Sequence, residues 1–62
     1  MDENTKLKKM LEWVIQEEED AGKSADKAYE ANRESAYIRY NYVWATFGKV
    51  RKYIKNLMAD EI

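Results

Sequence analysis

The chain contains no cysteine, no histidine and no proline, and only two glycines. Without cysteine there is no disulfide to staple a short fold and no thiolate nucleophile. Without histidine the usual general base is missing, and the two absences together remove soft metal sites and the Glu-x-x-His pairs of carboxylate di-metal bundles. No glycine-rich loop is present to cradle a phosphate. Asp26, Glu30 and Glu34 are spaced to share a helix face, but Lys27 and Arg33 interleave with them, which predicts ion pairs rather than a calcium site. Catalysis and bound cofactors are therefore not expected.

Charge of one sign is also lacking. Eleven basic residues face twelve acidic ones, a net charge of -1. That balance argues against a general nucleic-acid binder, which is strongly basic, and against a DNA mimic, which is strongly acidic. No apolar run approaches the roughly 18 residues that span a bilayer, and the opening MDENTKLKK has no apolar signal region. The expectation is a cytoplasmic protein without a membrane partner.

What the chain has is helical periodicity. At 62 residues it forms one small domain. Such a domain buries only about 60% of its unfolded surface, so regular helix packing and self-association are the aids left to it. The clearest punctuation is DAGKSAD, residues 20–26. Gly22 suits the left-handed end of a helix, Ser24 suits a cap, and Asp26 suits the following first turn. This predicts a first helix over about 5–21, capped by Asn4 or Thr5, a turn at 22–24 and a second helix over about 25–59.

The first helix carries one stripe, Leu7, Met10, Leu11, Val14, Ile15 and Ala21, with Trp13 off its centre. In the second, SAYIRYNYVWATF (35–47) has strand-like composition and alternation. No partner strand exists for it, however, and a four-three spacing persists through Tyr29, Ala36, Tyr40, Val43, Phe47, Val50, Ile54 and Leu57. Helix is the better reading. Gly48 falls on the side opposite this seam.

Drawn with these boundaries, the first helix covers the second only to about Tyr40, which leaves an apolar ridge uncovered. A second line, Tyr37, Trp44 and Met58, runs beside it, interrupted by Arg51. The expected architecture is all-α: an antiparallel helical hairpin with a long second helix, dimerising into a four-helix bundle. The homodimer or partner interface would hold Tyr40, Val43, Trp44, Phe47, Val50, Ile54, Leu57 and Met58. The alternative is a monomeric three-helix bundle broken near Asn41 or Gly48.

Lys6, Lys8 and Lys9 crowd the start of the first helix, and Glu17, Glu18, Glu19 and Asp20 its expected end, both against the helix dipole. Compensation by Lys23, Lys27 and Arg33 across the closed hairpin is the simpler explanation; a surface for a basic partner is the sharper one. Lys49, Arg51, Lys52 and Lys55, with Tyr53 beside them, form the one basic-aromatic stretch suited to phosphates. Placed beyond the first helix, that cluster would approach a second copy's acidic run in an antiparallel dimer.

No residues specific to a family stand out. The shape resembles small accessory proteins of phages and mobile elements, and also small dimeric RNA-binding hairpins. The leading expectation is a dimeric, non-enzymatic module that docks on a larger protein and modulates or inhibits it, with Trp13, Tyr42, Tyr53 and the run Glu17, Glu18, Glu19 and Asp20 as contacts. The alternative is a nucleic-acid-binding regulator using Lys49, Arg51, Lys52 and Lys55.

Overall fold

A computed structural model describes residues 3–60, and among these the chain forms two helices and no strand. Helix α1 is Glu3–Glu30 and helix α2 is Glu34–Asp60, joined by a turn at 31–33 and packed side by side as an antiparallel hairpin. The strand-like stretch at 35–47 is helical throughout, and α2 runs without a break through Asn41 and Gly48. The three-helix alternative therefore does not form.

The turn lies nine residues beyond its expected place. Residues 22–24, Ser24 among them, are interior to α1. The reason is the four-three spacing of Leu7, Leu11, Val14, Glu18, Ala21, Ala25 and Ala28, which continues past Gly22 and rewards helix up to Ala28. A glycine inside a helix costs about 1 kcal/mol relative to alanine, too little to end a helix with another turn and a half to bury. Asn4 and Thr5 likewise lie within α1; the side chain of Asn4 is outside the described residues.

Asn32 does what Gly22 was expected to do. Its φ is 57°, in the left-handed region that asparagine tolerates better than most residues. The Asn32 N–H donates to the Tyr29 carbonyl at 3.1 Å, and the Arg33 N–H donates to the Ala28 carbonyl at 2.9 Å. This is the paired closure of a Schellman motif, which satisfies carbonyls that the end of α1 leaves free. Helix α2 starts at once: the Arg33 carbonyl accepts from the Tyr37 N–H, and Glu34 stands favourably in the first turn.

With 28 and 27 residues the helices are nearly equal, about 40 Å each, and the molecule measures 46 × 17 × 11 Å. The expectation of an uncovered ridge beyond Tyr40 is overturned. Ile54, far past that point, is 2% exposed, because α1 extends alongside it.

The buried set among the described residues is Val14, Ala21, Ala25, Ala28, Ala36 and Ile54. The alanines let the helices approach closely near the turn but contribute little apolar volume; only Val14 and Ile54 are larger. Val43, Phe47, Leu57 and Met58 are half-buried, while Tyr40, Trp44 and Val50 stay substantially exposed. Most of the expected seam, Ala36, Val43, Phe47, Ile54 and Leu57, thus stays turned to α1, while Val50 is exposed and Gly48 and Arg51, expected off the seam, are partly buried beside it.

Candidate interaction surface

Arg51 sits on the inward-turned side of α2 and reaches Glu18 of α1. Its Nε donates to Oε1 at 2.8 Å and an Nη2 hydrogen to Oε2 at 3.4 Å, with both side chains mostly shielded from solvent. Two sequence expectations fail here. The basic cluster is not beyond the reach of the first helix, and within the acidic run Glu18 pairs with Arg51, with no ion pair to Lys23, Lys27 or Arg33 among the described residues. Glu17, Glu18, Glu19 and Asp20 also lie in the middle of α1, not at its end, so their conflict with the dipole at that end disappears.

The two glycines make room at this junction. A Cβ on Gly48 would stand 3.0 Å from the Glu18 Oε2, so glycine leaves space for the carboxylate that Arg51 holds. A Cβ on Gly22 would stand 3.3 Å from the Trp44 Cδ1, so the indole lies against α1 where glycine exposes the backbone. Each glycine belongs to a contact between helices.

The aromatic residues divide into two groups. Trp13 meets Phe47 edge-on, with ring centroids 5.7 Å apart, and Tyr29 meets Tyr37 beside the turn at 5.5 Å. Trp13 remains 58% exposed despite that contact. Ile38, Tyr42 and Tyr53 lie away from the α1 contact, with Tyr42 74% exposed. Ile38 and Tyr42 are one helical turn apart, on the side of α2 opposite the buried Ala36 and Ile54. Tyr42 was expected as a contact; Ile38 was expected off the seam with Tyr42 and Tyr53 but not as a contact, although its four-residue spacing from Tyr42 was legible.

Folding also gathers charge. Lys49, Lys52 and Lys55 are exposed on α2, while Arg51 is committed to Glu18. Because the hairpin is antiparallel and its turn is at 31–33, Lys6, Lys8 and Lys9 lie toward the same open end as Lys55, while Lys49 follows Gly48 and stands level with Glu18, midway along the hairpin. Glu19 and Asp20 are exposed and Glu17 partly so; the Gln16 amide donates to the Asp20 Oδ1 at 3.1 Å.

The clefts near the turn are shallow and open. One is lined by Ala28, Tyr29, Asn32, Arg33, Glu34 and Tyr37. Among the described residues no group of three or more acidic side chains gathers where it would hold a metal ion, and no helix is long and apolar enough to cross a membrane. No family model, curated protein or solved structure matches the chain. What the site offers chemically is apolar rings and fixed charge on the flanks of a narrow hairpin.

Proposed function

We propose that this protein is a cytoplasmic, non-enzymatic interaction module that works as a dimer within a four-helix bundle and docks on a larger protein to modulate or inhibit it. This is the accessory-protein role its shape resembles. The observation that carries the reading is the outer side of α2, where Ile38 and Tyr42 stand exposed on a helix that already has an inner side packed on α1. A large ring on a rigid element, as at Tyr42, loses little entropy when a partner desolvates it, and tyrosine is among the residues that dominate binding energy at protein interfaces; Ile38 adds apolar area beside it. The lack of histidine and cysteine agrees with a role without catalysis. The full chain, tethered by its N-terminus, is used as bait in lysate of its native host beside an Ile38→Ser/Tyr42→Ser variant. A partner retained by the first and lost from the second supports the reading; identical retention by both, or by neither, ends it.

A second reading is favoured by one specific observation, the exposed row Lys49, Lys52 and Lys55, which runs along α2 toward the open end where Lys6, Lys8 and Lys9 also lie. Such a row suits a phosphate backbone. Affinity for DNA or RNA falling steeply with added salt would support it; undetectable binding at low salt removes it.

A further inference from the structure

One stripe of α1 is built so that it complements itself. Trp13 lies at its centre, next to the buried Val14 but facing out along the flank of the hairpin. Toward the N-terminus, at the four- and seven-residue steps that keep a single helix face, stand Lys9 and Lys6; toward the C-terminus, at the same steps, stand Glu17 and Asp20. Cations on one side of the ring and carboxylates on the other mirror each other in position and oppose each other in sign. Among the described residues none of these four side chains has an ion-pair partner, and Asp20 spends only one oxygen on Gln16.

We infer that this face is covered by the same face of a second copy, with the two α1 helices antiparallel about a two-fold axis at Trp13. That operation places Lys6 of each copy opposite Asp20 of the other, Lys9 opposite Glu17, and the two Trp13 rings together at the centre. A two-fold contact requires a surface that complements itself, and this charge order supplies one. A parallel arrangement would set lysine on lysine and carboxylate on carboxylate, so the orientation is specified as well as the partner. Met10 adds apolar surface on the same stripe, and Val50 and Tyr53 follow Phe47 in steps of three on α2; all three are exposed.

The inference rests on the dimeric reading above and specifies its face and orientation.

Two variants of the full chain test it. One carries Lys6→Glu and Lys9→Glu; the other carries Glu17→Lys and Asp20→Lys. Each makes the stripe uniform in sign, so self-association measured by sedimentation over a concentration series should weaken at least about tenfold in each alone. An equimolar mixture should form a heterodimer about as tight as the wild type, because every opposed pair is then of opposite sign. Circular dichroism checks that both remain helical, and Trp13→Ala should weaken association without charge reversal. If the wild type dimerises but the charge variants dimerise equally well, or their mixture does not recover, this face and orientation are wrong while the dimer stands. If the wild type stays monomeric when concentrated, the dimer itself is wrong, including the case in which a larger protein covers Trp13 instead.

Discussion

Arg51 and Glu18, thirty-three residues apart in the chain, are joined by a 2.8 Å hydrogen-bonded ion pair between the two helices. It is a polar contact across a hairpin whose largest buried side chains, among the described residues, are a valine and an isoleucine. Removing either partner leaves the other charge half-buried and unpaired. Arg51→Ala or Glu18→Ala should lower stability by about 1–3 kcal/mol, read by urea denaturation, and the double variant should lose less than the sum of the two. Additive losses would show that the pair contributes no coupling.

Gly48 tests the same junction from the other side. A Cβ there meets the held carboxylate at 3.0 Å, so Gly48→Ala in the wild type should gain less than the roughly 1 kcal/mol that helix propensity alone provides. In a Glu18→Ala background the obstacle is gone and the full gain should return. Equal gains in both backgrounds would mean the close approach has no energetic consequence.

The turn gives a separate expectation. Asn32→Gly should be neutral or stabilising, and Asn32→Val should cost about 1 kcal/mol or more, because a β-branched residue resists the positive φ. Gly22→Ala should leave helicity intact and change stability by less than about 1 kcal/mol, its propensity gain offset by pressure on Trp44. A collapse of helicity in Gly22→Ala would restore the turn to residues 22–24.

Packing of the core sets a fourth. Ile54→Ala should cost about 2–5 kcal/mol, and Ala25→Leu should destabilise by about 1–3 kcal/mol, since the closely approaching helices have no room for it. Phe47→Asp should unfold the hairpin by placing a charge beneath Trp13. Lys52→Glu, on an exposed side, should leave the melting curve almost unchanged. Circular dichroism melts of the four variants separate these outcomes.

The helical reading of Ala36, Val43, Phe47 and Ile54 was legible because apolar spacing repeats over many residues and each repeat adds weight to the same face. So were the hairpin itself and the prominence of Trp13, Tyr42 and Tyr53. The position of the turn was not. Gly22 carries the stronger local signal for a helix end than Asn32, and only the packing of Ala25 and Ala28 against α2 outweighs it. A local signal of about 1 kcal/mol is easily overruled by burial, and burial is a property of both helices at once.

Composition and periodicity by themselves determined that this chain is helical, stapled by no disulfide and rich in rings that one short helix pair cannot hide. Tertiary structure alone decided which ring faces outward, that Arg51 meets Glu18, and that both glycines are spaces rather than breaks. The physical reason is that burial belongs to both helices at once. Which residues of α2 find cover depends on where the turn falls, and that is settled only when Ala25 and Ala28 pack.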